Sequence, residues 1–288
     1  MLRQLVRLER GGWLLNVSIF AMAWVLVTPS LSYAGEAMKR IKSAGKIIVG
    51  TEAALPPFEF IKDGKIVGYG KDILDHVLKD MGVEVEQLDL PWQGILPGID
   101  AGKFDLVATS VTLTPDRAKK YAFTMPISES THHLLKRKGN TTIKTSDDLI
   151  GKRVGVQLGA AGEKSAKWLA ERWKKSGKGT FGELKLYPSN PDAYLGLANG
   201  DVDAVIHSLP TLAVLIKKRP GIYEIGAPVR ELSYYAWVTR PADADLRDYV
   251  SEKIEEMWDS GKMHELQDKW FGFRMKKPAK GYLPDGAK

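Results

Sequence analysis

The chain contains no cysteine in its 288 residues. This excludes a disulfide framework, a thiolate metal site, a cysteine nucleophile and a lipid-modified N-terminal cysteine, so any exported form is held together by packing alone. Histidine is scarce as well, with five residues and no HExxH or nearby HxH spacing, which leaves no zinc signature. Past residue 27 no apolar run reaches the roughly 20 residues that a spanning helix needs. No block of one charge stands out either: 42 Lys and Arg against 35 Asp and Glu give +7 on a mixed surface, which argues against a nucleic-acid stripe. Hydrophobic residues make up 44%, enough to exclude a wholly disordered chain, and the length suits one large or two modest domains.

What is present begins with a leader. Arg3, Arg7 and Arg10 precede an apolar run from Trp13 to Val27, interrupted only by Asn16 and Ser18, and then come Pro29, Ser32, Tyr33, Ala34 and Gly35. A basic start, an apolar middle and a small-x-small site predict a secretory signal, residues 1–34, cleaved after Ala34. The run is short for a membrane anchor and ends in a helix breaker. Processing leaves 39 basic against 34 acidic residues, a net +5.

Along the mature chain, a helical lead-in (37–43) is followed by Lys46 to Gly50, a compact apolar run that reads as a buried strand. A helix is predicted over 71–81, with Ile73, Leu74, Val77 and Leu78 at helical spacing and Gly82 as its stop. Val83 to Leu88 alternates like a half-buried strand; Ile95, Leu96 and Ile99 mark a short helix; Phe104 to Ala108 is another buried strand. Strands alternating with helices predict a mainly parallel α/β sheet.

Two internal echoes suggest that this pattern occurs twice. Gly102 to Ser110 resembles Gly200 to Ser208 at a constant offset of 98, and Gly45 to Gly50 resembles Gly151 to Val156. Two echoes in the same order predict two lobes of like topology. Ligands of open α/β sheets sit beyond the C-terminal strand ends, so Glu52, Ser110, Gln157 to Ala161 and Ser208 are expected to face one interlobe cleft.

Candidate chemistry follows from this frame. Thr109 to Arg117 is a hydroxyl-rich strand exit leading into a helix start, and two readings stay open. Either it receives a small carboxylate or phosphate on hydroxyls, backbone N–H groups and a guanidinium, or Thr114 and Asp116 cap a helix and Arg117 is solvated. Gly155 to Gly162 could bring backbone amides to an anion, but it lacks the ending of a phosphate loop and the spacing of a dinucleotide fingerprint. His132 and His133 diverge on a strand and read as surface or hinge residues rather than metal ligands. His207 beside Ser208 is no catalytic pair. Lys217, Lys218 and Arg219 read as solvating a helix end.

From Thr51 to Phe60 the sequence resembles the family-3 periplasmic solute-binding proteins of polar amino acid ABC transporters. The likeness continues through Gly64 to Leu74, Leu96-Pro97 with Gly102 to Asp105, Thr112 to Arg117, Phe123 to Pro126, Asp148 to Val156, Asp203 to His207 and Lys269 to Gly272, and is closest in the second lobe to glutamine-binding proteins. It implies two α/β lobes joined by two hinge strands: lobe 1 as 35–130 plus 229–274, lobe 2 as 131–228, and a tail, 275–288. It further implies a monomer that closes over a small solute and delivers it to an inner-membrane ABC permease. It calls for no catalytic residue, cofactor, metal or nucleic acid. By position, Arg117 would pair with a ligand carboxylate, aided by Thr112 and by amides near Ser110 and Ala161. Trp92 and Leu55 would form walls, Glu52 would meet a basic group, and Thr109, Gln157, Ala160, His207 and Ser208 complete the implied ligand set.

Departures from the family pattern narrow the ligand. Ser208 stands where members for α-amino acids place an aspartate for the α-ammonium, and a buried unpaired cation costs about 3–5 kcal/mol. Gly159-Ala160 replaces the usual Gly-Thr, and Gly68-Tyr69-Gly70 the usual Gly-Phe-Asp. The expected ligand, an amino acid or a derivative of one, therefore carries a carboxylate but is N-substituted, opine-like, cyclic or without an α-amine, unless Glu52 or a shifted pose supplies the missing charge. Two rivals are a periplasmic dehydratase on the same fold, with Glu52 or His207 as general acid, and an extracellular sensor that keeps the N-terminal run as an anchor.

Overall fold

The structure is a computed structural model that describes residues 35–287; the predicted signal peptide lies outside the described residues. Helix α1 (Glu36–Ala44) stops at Gly45, whose φ of 64° suits glycine, and strand β1 (Lys46–Thr51) follows. A small antiparallel sheet is formed by β2 (Ala54–Leu55), β3 (Glu59–Lys62) and β4 (Lys65–Val67). Helix α2 (Tyr69–Leu78) buries Ile73, Leu74, Val77 and Leu78, the face its spacing predicts, and a short 3-10 turn carries it to Gly82. Next come β5 (Glu84–Asp89), α3 (Trp92–Asp100), β6 (Leu106–Thr112), α4 (Pro115–Ala118), β7 (Ala122–Phe123) and β8 (Ser128–Glu129).

Strand β9 (His132–Arg137) opens a second sheet. It continues with β10 (Arg153–Gln157), α5 (Ala161–Lys175), β11 (Glu183–Tyr187), α6 (Asn190–Asn199), β12 (Ala204–Ser208), α7 (Leu209–Lys218) and β13 (Tyr223–Pro228). The chain then returns to the first sheet with β14 (Tyr234–Thr239) before α8 (Ala244–Asp259) and α9 (Lys262–Trp270). Among the described residues no helix is long and apolar enough to cross a membrane.

The first sheet has the order β5-β1-β6-β14-β7, with β8 also on β14, and the second β11-β10-β12-β9-β13. In each sheet three strands pair in parallel, while β14 in one and β9 in the other run against all the rest, so every pairing these two make is antiparallel and each sheet is mixed rather than mainly parallel. The antiparallel strands follow from connectivity, because β14 and β9 flank the two passages of the chain between the sheets. Those passages are tied together, Ser130 N–H donating to the Ser233 carbonyl at 2.7 Å, with the two hydroxyls 3.1 Å apart. Alternate residues of the central strands enter separate cores: Val49 and Leu106 on one face of the first sheet and Val107 on the other, Val154 and Ile206 against Val205 in the second.

The 98-residue echo is a repeat of conformation. Gly102 and Gly200 both take positive φ, 69° and 87°, at the turn into the strand. Asp105 accepts from Ile48 N–H and Asp203 from Arg153 N–H, each at 3.0 Å, so both aspartates fasten the same neighbouring strand. The second echo is one residue out of register. Val49 pairs with Leu106 and Val154 with Ala204, which makes the offset 105 rather than the 106 that matching Gly45 to Gly151 implies. The turn after Gly151 is one residue shorter than the turn after Gly45, which causes the slip, and the corrected register makes Glu52 the counterpart of Gln157.

Candidate functional site

The C-terminal ends of β1, β6, β10 and β12 bring Glu52, Ser110, Gln157 and His207 to one cavity between the sheets. Leu55, Trp92, Thr112, Arg117, Ala160 and Ala161 line it as well, so ten of the twelve residues singled out in the sequence meet there. The enclosed space is about 30 Å³, room for a few waters at most, and an amino-acid-sized solute can enter only when the lobes part.

One end of the cavity is cationic. Arg117 is 4% exposed, its Nη1 donating to the Thr112 carbonyl at 3.0 Å and its Nη2 reaching across to the Gly159 carbonyl at 3.3 Å. Its guanidinium lies 5.0 Å from the centre of the Trp92 ring, and among the described residues it forms no ion pair. Burial lowers its pKa to about 10, so it stays charged at neutral pH. The solvated alternative for Arg117 is thereby excluded. Thr114 does cap α4 by accepting from Arg117 N–H, so capping and a buried guanidinium coexist.

Facing Arg117 is the start of α5. Gly159 turns the chain with a φ of 72°, and the N-cap Ala160 supplies no side-chain acceptor for the first-turn N–H groups, with Ala161 and Gly162 on the cavity wall. Gly162 permits this approach, since a Cβ there would meet the Ile206 carbonyl oxygen at 2.7 Å. A carboxylate between the two would gain a guanidinium and the positive end of a 15-residue helix.

The other end is acidic. Glu52 is 7% exposed, and its Oε1 accepts from Gln157 Nε2 at 2.6 Å; Gln157 Oε1 in turn accepts from Asn190 Nδ2 at 2.7 Å. Burial pushes Glu52 up to about 7, against the hydrogen bond from Gln157 and with a small addition from Asp89. Behind it lies Glu59, fully buried and pushed up to about 8 by that burial even though Ser110 and Thr109 donate to its Oε2 at 3.1 and 3.3 Å. Its Oε1 has no partner among the described residues. The sequence reading missed Glu59; the available signal was a glutamate between Phe58 and Phe60 in a strand.

Thr109 and Ser208 do not reach the cavity. Thr109 turns to Glu59, and Ser208, fully buried at the N-cap of α7, donates to Thr211 Oγ1 at 3.0 Å. The echo pairs Thr109 with His207 and Ser110 with Ser208, yet Ser110 and His207 face inward. Strand β6 runs on to Thr112 while β12 ends at Ser208, so equivalent positions present opposite faces.

The histidine pair needs a second correction. His133 points away, toward the Gly226 carbonyl at 3.1 Å, but His132 is buried on the cavity wall with Nδ1 2.7 Å from Ser165 Oγ. His207 is likewise buried, Nδ1 3.0 Å from the Tyr194 hydroxyl. Burial holds both imidazoles down at about 3, so they are neutral hydrogen-bonding groups. Gly162, the end of the glycine-bearing turn singled out in the sequence, lines the cavity too, and Asn190 and Tyr235, which only packing brings there, complete the lining.

Residues 47–273 match the profile of the bacterial extracellular solute-binding proteins, family 3. The L-cystine-binding protein TcyJ of Escherichia coli (strain K12) is 32% identical over 259 residues, 89% of this chain and 94% of that protein. The arginine-, lysine-, histidine-binding protein ArtJ from Geobacillus stearothermophilus superimposes with a TM-score of 0.71 at 30% identity, covering 81% of this chain and 96% of that one. The ancestral amino acid-binding protein AncCDT-1, described as a precursor of cyclohexadienyl dehydratase, gives 0.72 at 29% identity, covering 81% of this chain and 99% of that one.

Proposed function

The chain belongs to the bacterial extracellular solute-binding proteins, family 3, and from that premise we propose that it is the periplasmic substrate-binding component of an amino acid ABC importer. It captures an amino acid or a derivative bearing a free carboxylate by lobe closure and delivers it to an inner-membrane permease. The observation that carries this reading is Arg117, a buried guanidinium without an ion-pair partner among the described residues, facing the start of α5. A buried charge of this kind costs several kcal/mol unless an anion meets it, and a ligand carboxylate does so.

The α-ammonium falls to Glu52. Ser208 offers neither a charge nor a position on the cavity, whereas Glu52 lies on it and ionises once a cation arrives. Relatives that bind cystine, and arginine, lysine and histidine, support an α-amino acid as solute. Export by a cleaved leader and a monomeric state belong to the same proposal.

A dehydratase on this fold is the weaker reading. It needs a general acid; His207, held at about 3, is a neutral imidazole at neutral pH and lacks the acidic imidazolium proton, which leaves Glu52 of the two candidates. Turnover of prephenate or arogenate that is lost in Glu52→Gln would establish it.

The main reading is tested by calorimetry and small-angle scattering across L-amino acids, opines and organic acids. A bound solute is expected to raise the melting temperature and to compact the protein. No change in either over the whole panel would overturn the proposal.

A further inference from the structure

The basic triplet that ends α7 does more than solvate a helix terminus. Lys217 does close the terminus, its Nζ donating to the Phe271 carbonyl at 3.1 Å. Lys218 and Arg219 instead line an open groove of about 280 Å³ between Ala54 to Pro56 of the first lobe and α6 and α7 of the second. The walls are apolar, with Leu55, Tyr194, Val214 and Leu215 among them. Among the described residues neither cation forms an ion pair; the Lys218 ammonium rests 5.4 Å from the centre of the Phe60 ring.

The groove adjoins the ligand cavity. Leu55 lines both, and Tyr194 on the groove wall is bonded to His207 on the cavity wall. Leu55 stands three residues from Glu52, so it marks the acidic end of the cavity. A solute held by its carboxylate at Arg117 and its ammonium at Glu52 has its side chain leaving beside Leu55.

We propose that this groove is the distal subsite of the cleft and that the preferred solute is an amino acid whose side chain is an extended apolar spacer ending in a carboxylate. This rests on the amino-acid reading above and names the class within it. The apolar walls cover the spacer and Lys218 and Arg219 meet the terminal acid, while a cationic tail is repelled at the same place.

Two probes of equal length isolate that terminal group: L-2-aminosuberate, which ends in a carboxylate, and L-2-aminooctanoate, which ends in a methyl. Calorimetry on the intact protein is expected to give aminosuberate about tenfold tighter binding. In the double variant Lys218→Gln, Arg219→Gln the ratio is expected to fall to about one with the aminooctanoate affinity unchanged. Both side chains are exposed, so the melting temperature of the variant is expected to match the parent. Equal affinities in the parent, or a ratio that survives the double substitution, would overturn the groove assignment. So would binding of short amino acids such as L-alanine with rejection of both probes, and in that case the amino-acid reading stands. Failure to bind any amino acid at all overturns both.

Discussion

The two lobes are built on one plan and carry opposite chemistry. In each, three parallel strands, a left-handed glycine and an aspartate that fastens the neighbouring strand recur in the same order. Yet the first lobe places ionisable groups at its strand ends, Glu52, Glu59 and Arg117, where the second presents Gln157, His207 and the start of α5. One direct contact between them is between counterparts, Gln157 donating to Glu52. A repeated scaffold thus decides where side chains emerge, and single substitutions decide which half holds charge and which holds neutral donors.

The largest expected effect comes from removing the first lobe's cation. Arg117→Met should weaken binding of any α-amino acid by about 100-fold or more, while the unliganded melting temperature holds or rises because an uncompensated buried charge is gone. Calorimetry that finds a loss below tenfold would move carboxylate recognition to the second lobe and break the contrast.

Next comes stability against pH, where the lobes act with opposite sign. Glu52 at about 7 and Glu59 at about 8 lie above the ordinary carboxylate value of 4.5, so the folded chain binds protons that the unfolded chain lacks. Stability of the unliganded protein therefore falls as pH rises from about 5 to about 8, by a few kcal/mol at most. His132 and His207, at about 3 against an ordinary 6.5, do the reverse: below about 6.5 the unfolded state binds the extra protons and stability falls as pH drops. Urea melts should peak between pH 5 and 6.5, with Glu59→Gln flattening the alkaline limb and His207→Gln the acid limb.

A smaller effect probes the scaffold itself. Asp105→Ala and Asp203→Ala each strip a strand N–H of its acceptor and should cost about 2 kcal/mol apiece. Markedly unequal losses in parallel denaturant titrations would mean that the echo is one of shape only. Smallest is Glu52→Gln, which makes the two counterparts alike. Amino-acid affinity should drop about tenfold, and the rise in parental affinity with pH through about 7 should disappear.

Much of the fold was legible because its signals are local. Helical spacing in 71–81, glycine stops and short apolar runs located the helices and strands, and the strand ends together with the family resemblance led to ten of the cavity residues. What escaped the sequence was registration and facing. Anchoring the second echo on Gly45 and Gly151 hid a turn one residue shorter in the second lobe, and therefore the pairing of Glu52 with Gln157. Thr109 and Ser208 were expected on the cavity, but which face of a strand looks inward depends on where that strand stops. His132 was placed at a surface or hinge and is buried, because Ser165 of α5 packs over it.

By itself, then, the sequence determined the order of elements, the duplicated plan and the residue types available at each strand end. The tertiary structure alone decided which of those groups lose their water: Glu59, Arg117 and His207 are ordinary side chains in the chain and shifted ones in the fold. Desolvation depends on everything packed around a group, most of it distant in sequence, whereas periodicity and turn chemistry are settled by near neighbours.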